Sequence, residues 1–286
     1  MTPPQATLSE LLRDRAPFVP TEDRPWDAGL WADLAAAGLT GTGLPVEAGG
    51  SGGPFADAVA LVRALAAAGA SLPLAEQLLV AGPALLAADV ALPPVAEPLT
   101  VASADRVRAE PLDDGDGPGR YRLEGTADDV PWAGTAVHVA VLAAPPAGIG
   151  GAVLALADAP SATPSGRPDD GVPTGRLEFP GTSVPGVLLT PDQAAQVHAR
   201  CELARVVQRA GALPQPDAAL DQLLDAAVQA AAGGADLTGR CGQPRPGRRS
   251  WGTPPPDAQT VSGTPRWART RSRSATPVIR PPSWRA

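Results

Sequence analysis

Apolar positions recur at helical spacing through the first 92 residues. Thr7-Leu8-Ser9-Glu10 fits a capping box, in which a Thr hydroxyl and a Glu carboxylate satisfy free amide donors, and it predicts a helix starting there. A second helix is expected from Asp27 to Ala37. Leu30, Trp31 and Leu34 share one of its faces, and Gly38 stands where a left-handed cap belongs. A glycine-rich loop, Gly41 to Pro54, follows. Two more periodic segments come next: Ala56–Ala68, with Val59, Leu61, Val62 and Leu65, and Leu74–Ala88, expected to break at Gly82-Pro83.

Near Pro93-Pro94 the period shortens. Val107–Glu110, Tyr121–Gly125, Val137–Ala143, Ala152–Ala157, Arg176–Phe179 and Val187–Leu189 read as strands separated by turn clusters. The densest such cluster is Asp113-Asp114-Gly115-Asp116-Gly117-Pro118-Gly119. Thr190-Pro191 then opens a helix on which Ala194, Val197, Cys201, Ala204 and Val207 keep the period to Leu213. A last amphipathic stretch, Ala218–Ala232, follows Pro214 and Pro216. From Gly233 onward the pattern is lost.

This is an α+β chain. The pattern predicts an N-terminal α-helical domain (1–92), a middle antiparallel β-barrel or sandwich domain (93–190) and a C-terminal helical part (191–232) that is expected to be truncated. An Arg/Pro-rich tail (233–286) is expected to be disordered. Charge divides the same way. Residues 240–286 hold ten Arg and one acid, Asp257, whereas residues 1–239 hold 13 Arg and 29 acids. There is no Lys and no Asn, a bias of GC-rich coding rather than of function. The tail's nine Pro, ten Arg and three Trp are what out-of-frame reading of such a gene yields. Cys201 and Cys241 form neither a disulfide framework nor a zinc spacing. No signal-like segment or 18-residue apolar run is present, so a cytoplasmic chain without membrane contact is expected.

Residues 31–39, Trp-Ala-Asp-Leu-Ala-Ala-Ala-Gly-Leu, lead into Gly43-Leu44-Pro45-Val46-Glu47-Ala48-Gly49-Gly50-Ser51-Gly52. This resembles the N-terminal domain of acyl-CoA dehydrogenases, where a W-x-x-L-x-x-x-G-L helix precedes a G-L-P-E-E-x-G-G-x-G loop. Leu72-Pro73-Leu74-Ala75-Glu76 continues the likeness, and Tyr121-Arg122-Leu123-Glu124-Gly125-Thr126 resembles a strand of that family's middle domain. Val130-Pro131-Trp132-Ala133, Leu177-Glu178-Phe179 and Val184-Pro185 extend it, over roughly residues 5–213 in all.

The resemblance implies FAD held between domains and α,β-dehydrogenation of an acyl-CoA thioester. A carboxylate would take the α proton while the β hydrogen leaves as hydride to the flavin. It implies flavin contacts at Trp132 and Ala133, and an acyl-CoA substrate meeting Gly49, Gly50 and Ser51. Homo- or hetero-oligomers with related subunits, and an electron-acceptor flavoprotein, are the implied partners.

The chain departs from the family at three places. Leu99-Thr100-Val101-Ala102-Ser103-Ala104-Asp105 stands where T-E-P-x-x-G-S-D is expected. Pro131 replaces the hydroxyl residue of I-T-N-A, and no Y-x-x-x-R-x-x-F-G helix follows Leu213. No catalytic base is identifiable, because Glu202, the last glutamate, reads as a solvated face. Two readings therefore stand: a flavin-dependent dehydrogenase, and a non-catalytic or decayed member acting as a structural subunit.

Competing motifs are weaker. Gly49-Gly50-Ser51-Gly52-Gly53 satisfies G-x-S-x-G without the strand that motif requires. Asp113–Asp116 places Gly or Pro where a calcium loop needs other residues. No metal site is expected, and His138 and His198 read as structural. Arg269, Arg271 and Arg273 beside Trp267 suit nucleic acid, but no recognition fold accompanies them and nucleic acid is not expected as a partner.

Overall fold

Asp27 begins the best-defined helix. Its carboxylate accepts from the Leu30 amide at 3.0 Å, satisfying a donor that a helix start leaves free, a contact worth about 1 kcal/mol. Arg15 grips the same carboxylate at 2.9 Å and Asp33 at 2.7 Å. Burial pushes the Asp27 carboxyl up, but the Arg15 guanidinium and the Leu30 amide together hold it below its ordinary range. The computed structural model describes residues 3–212 apart from 14, 16–17, 22–23, 113–118, 161 and 167–171, all within the unit Met1–Cys241. The amphipathic stretch Ala218–Ala232, the tail 233–286 and the turn at Asp113–Asp116 lie outside the described residues.

Among the described residues the helices are α1 (Pro3–Arg13), α2 (Ala28–Ala36), α3 (Phe55–Ala67), α4 (Gly82–Ala87) and α5 (Pro191–Ala212). The expected start at Thr7 is corrected. α1 begins at Pro3, Thr7 lies inside it, and the Ser9 hydroxyl donates back to the Gln5 carbonyl at 2.8 Å. Proline suits a first helical turn, where its missing N–H has no partner to lose. α2 buries Leu30, Trp31 and Leu34 and ends at Gly38 with φ 73°, as expected.

The expected break at Gly82-Pro83 is also corrected. A π-helical turn, Glu76–Ala81, runs straight into α4. The Gly82 amide bonds back to the Gln77 carbonyl, five residues earlier. Pro83 has no amide hydrogen for the Leu79 carbonyl, and the widened turn avoids the clash its ring would make there. Arg200 on α5 donates to that carbonyl at 3.3 Å while its guanidinium lies over the Phe55 ring, 5.2 Å from the centroid.

Six strands form the middle domain: β1 (Leu99–Leu112), β2 (Arg120–Pro131), β3 (His138–Ala144), β4 (Ala152–Asp158), β5 (Ala162–Gly166) and β6 (Thr174–Leu189). The order β2-β1-β3-β4-β6-β5, with β2 also paired to β6, closes a barrel. Its pairs are antiparallel except β1–β3, which is parallel because the β1–β2 hairpin returns the chain to the other side of β1. Two expected segments, Arg176–Phe179 and Val187–Leu189, are one strand. β6 pairs with β2 from Thr174 to Pro185 and with β5 from Thr174 to Leu177, and its far end, Gly186 to Leu189, pairs with β4.

Alternation sorts the strands between two cores. Val139, Val141 and Ala143 of β3 and Val153 and Ala155 of β4 fill the barrel. Their neighbours Ala140, Leu142, Ala152 and Leu154 face the other way, into a core with Leu61, Leu79 and Leu85 of the helical domain and Val207 of α5. The barrel and the helices therefore share a wall.

Gln77 fixes the join between them. Buried at 1% exposure, its amide nitrogen donates to the carbonyls of Thr40 and Val95, both at 2.8 Å, and its oxygen accepts from the Leu99 amide at 3.0 Å. One side chain thus ties the turn that leads into the glycine-rich loop, the interdomain segment and the start of β1.

Candidate functional site

A cavity of about 340 Å³ opens where α5 crosses the barrel. Val80 and Glu76 come from the π-helical turn, Val101 and Ser103 from β1, residues 128–131 from the end of β2, and His198, Cys201, Glu202, Ala204 and Arg205 from α5. α5 is set there by a reciprocal cap. The Gln193 amide donates to the Thr190 hydroxyl at 3.3 Å, and the Gln193 side chain accepts from the Thr190 amide at 2.9 Å. At its other end Gly211 lies against α3, where a Cβ would come within 2.6 Å of the Arg63 carbonyl.

The cavity joins the two segments, residues 99–105 and 130–133, at which the sequence departs from the pattern of the resemblance. Residues 99–105 supply Val101 and Ser103, and residues 130–133 supply Val130 and Pro131. The backbone is strained beside it, since Asp129 (φ 52°) and Trp132 (φ 57°) are both left-handed non-glycine residues. Such conformations cost about 1–3 kcal/mol each and concentrate at functional sites. Trp132 is 1% exposed, its amide donates to the Pro173 carbonyl at 2.7 Å, and its buried indole N–H meets no hydrogen-bond acceptor among the described residues. Ala133 is buried beside it. Neither residue belongs to the cavity lining, which stops at Pro131.

Gly49, Gly50 and Ser51 are not brought to this cavity either. Their loop closes on itself: the Gly43 amide bonds to the Gly52 carbonyl at 2.8 Å, Gly50 to Pro45 at 2.9 Å and Ser51 to Gly41 at 2.9 Å. The Ser51 hydroxyl donates to the Gly38 carbonyl. Gly50 is obligatory, because a Cβ there would lie 2.2 Å from the Leu44 carbonyl oxygen.

The histidines part company. His138 sits between Glu97 (Nε2 to Oε2, 2.6 Å) and Asp158 (Nδ1 to Oδ1, 3.2 Å), tying the barrel to the interdomain segment as a structural residue would. His198 lies on the cavity wall, its Nδ1 3.5 Å from the Ser103 hydroxyl. Glu76, Cys201 and His198 line the cavity, although the sequence pattern gives none of them a role at a site. Burial pushes the Cys201 thiol up to about 11, so it is neutral and unreactive. Among the described residues no group of three or more His, Cys, Asp or Glu could hold a metal ion. No helix among them is long and apolar enough to cross a membrane.

Val80, Val101, Val130, Pro131 and Ala204 give the cavity apolar walls, and its volume falls at the lower end of the range for small-molecule sites, about 300–1,000 Å³. These walls fit the flat ring system of a flavin. They do not fit its phosphates: Glu76, Asp128, Asp129 and Glu202 are acidic, and Arg205 is paired with Glu202. A second cavity, about 440 Å³, lies between Pro20, Thr21 and Pro25 and the barrel lip at Gly134, Thr135, Pro164 and Pro173.

A helical domain, a closed barrel and a returning helix with a cavity at their meeting define the acyl-CoA dehydrogenase class of fold. Residues 6–88 match the family described as acyl-CoA dehydrogenase, N-terminal domain. Among solved structures, the Tcur3481-Tcur3483 steroid ACAD variant is 27% identical with a TM-score of 0.58, covering 73% of this chain and 62% of its own. The ChsE4-ChsE5 complex from Mycobacterium tuberculosis is 25% identical with a TM-score of 0.58, covering 74% and 64%. A KijD3 in complex with FMN and dTDP-3-amino-2,3,6-trideoxy-4-keto-3-methyl-D-glucose shares the fold at 18% identity and a TM-score of 0.56, covering 85% and 76%. The chain thus spans less than two thirds of the length of the first two. No curated protein matches the sequence.

Proposed function

We propose that this chain is a flavoprotein subunit that holds the ring of FAD in the α5 cavity and takes part in α,β-dehydrogenation of an acyl-CoA thioester. The observation that carries this reading is the convergence of Val101 and Ser103 with Val130 and Pro131 on one cavity beside a strained backbone. Val101, Val130 and Pro131 would flank the ring, with Trp132 and Ala133 behind them. Gly49, Gly50 and Ser51 would meet the part of the acyl-CoA that lies outside the cavity. A bound flavin supplies the hydride acceptor for the β hydrogen of the acyl chain. The acidic lining leaves the phosphates of FAD and CoA to groups beyond the cavity, which favours assembly with a related subunit. Electrons would pass on to an electron-acceptor flavoprotein.

The test is retention of FAD by the purified full chain through gel filtration, read from visible absorbance, with butanoyl-CoA oxidation followed by an electron-accepting dye. Saturable flavin binding supports the reading, and a chain that neither retains nor titrates with FAD overturns it. The acidic lining also favours a second reading, a non-catalytic structural subunit. Coelution of a flavin-free chain with a flavin-loaded related subunit would decide for that one.

A further inference from the structure

The second cavity, about 440 Å³, is walled largely by proline. Pro20 and Pro25 come from the segment before α2, Pro164 from β5 and Pro173 from the approach to β6. A proline ring fixes its own φ and carries no amide hydrogen, so these walls are preformed and present C–H surface rather than donors. Proline surface of this kind packs against aromatic rings. Among the described residues that line the cavity none is charged, and it shares no lining residue with the α5 cavity.

A strained turn shapes the barrel lip. The carbonyl of Trp132, a left-handed residue with φ 57°, accepts from the amides of Thr135 at 2.8 Å and Ala136 at 2.9 Å, which presents Gly134 and Thr135 to the cavity. The Trp132 amide fixes this turn to the Pro173 carbonyl at 2.7 Å. On the opposite edge the Ser165 hydroxyl lies 3.2 Å from both the Asp129 carboxylate and the Thr174 hydroxyl, and Thr174 donates to the Gly166 carbonyl at 3.3 Å. The hydroxyls of Thr174 and Thr21 are thus engaged, the latter accepting from the Arg24 amide at 3.2 Å. The Thr135 hydroxyl makes no hydrogen bond among the described residues and is the polar group left for a ligand.

We infer that this cavity is a second binding site, for an uncharged aromatic molecule whose hydroxyl or carbonyl oxygen meets Thr135. The rings of the ligand lie against the proline walls. A charged group would give up its water there and find no ionic partner among the described lining residues. The site stands apart from the flavin reading and does not depend on it.

Prodan, an uncharged naphthalene ketone whose emission moves to the blue in apolar surroundings, is the probe, titrated against the full chain. The expected result is saturable binding that naphthol displaces and naphthoate, of similar size but anionic, does not. A Cβ on Gly134 meets nothing within 4 Å among the described residues, so Gly134→Leu extends into the cavity without a backbone clash. It should weaken prodan about tenfold or more. Thr135→Val keeps the volume but loses the hydroxyl and should weaken it about three- to tenfold, with Thr135→Ser restoring most of the affinity. Thermal midpoints should match the wild type in all three variants; if the leucine variant melts early, the Thr135 pair decides. Wild-type affinity in a stable Gly134→Leu overturns the inference, as does the absence of saturable binding to the wild type. Equal displacement by naphthol and naphthoate overturns the uncharged class, and full affinity in Thr135→Val overturns the contact assigned to its hydroxyl.

Discussion

The Arg200 guanidinium donates to the Leu79 carbonyl at 3.3 Å, and that carbonyl is the acceptor that Pro83, four residues on, has no amide hydrogen to serve. The pair couples α5 to the helical domain through a defect in the helix. Burial holds the Arg200 proton less tightly than usual, but the guanidinium remains charged at any working pH. Arg200→Met should therefore lower stability in urea unfolding by about 1.5–3 kcal/mol, the range for a hydrogen bond to a charged group. In a Pro83→Ala background, where an amide hydrogen is restored, the same substitution should matter less. Additive effects in that double-mutant cycle would sink the coupling.

Gly49 and Gly50 are adjacent in the loop and should behave differently. Gly49 has φ 87°, and a methyl added there would meet nothing within 4 Å among the described residues. Gly49→Ala therefore carries only left-handed strain of about 1–2 kcal/mol. Gly50→Ala drives a methyl into the Leu44 carbonyl and must displace the loop. Thermal melts should show a modest shift for the first and a clearly larger one for the second. Equal shifts would contradict the loop's closure.

Gln77 offers a third test. Gln77→Leu has similar volume but strips the Leu99 amide of its acceptor and the Thr40 and Val95 carbonyls of a donor. Each buried group left without a partner costs about 1–3 kcal/mol. Chemical denaturation should show a loss of at least about 2 kcal/mol, with amide exchange at Leu99 accelerated. Protection of the Leu99 amide at the wild-type level would show that the tie is not made.

Cys201 gives a pH dependence with a definite sign. Its thiol rises from an ordinary 9.0 to about 11 on burial, so the folded chain holds that proton more tightly than the unfolded chain. The stability this provides is fully present below pH 9 and is lost as pH rises through 11. Relative to Cys201→Ala, the wild type should lose about 2–3 kcal/mol across that window. Alkylation of Cys201 by iodoacetamide at about pH 8 should be slow until the chain is denatured. A stability difference that stays flat from about pH 8 to 11 would refute the burial assigned to this thiol.

Short-range chemistry makes much of the fold legible. α2 follows from Asp27, three apolar residues and Gly38, all within twelve positions. α5 follows from Thr190-Pro191, and the Gln193 that completes its cap is three residues away. What stays hidden depends on distant partners. β1 begins eight residues before its readable part, because Leu99–Ala102 is buried on both faces and shows no alternation. Ala162–Gly166 lacks apolar residues at strand spacing and is a strand only because β6 pairs with it. Glu76 reads as part of a helix match, and its place on the cavity follows from α5, more than a hundred residues later.

The closure of the barrel by β6 bears on how this chain can meet others. A strand with an open side offers a ladder onto which a foreign segment can add. Here β2, β1, β3, β4 and β6 satisfy one another in a ring, and among the described residues the outer side of β5 is where such a ladder could start. Proline at position 164, in the middle of that five-residue strand, removes one of its donors. Among the described residues, side chains on the helices and at the barrel's ends offer a partner more than this short edge does. Within the described sheet, closure leaves one five-residue edge for strand addition, and its central proline shortens the ladder that could grow there.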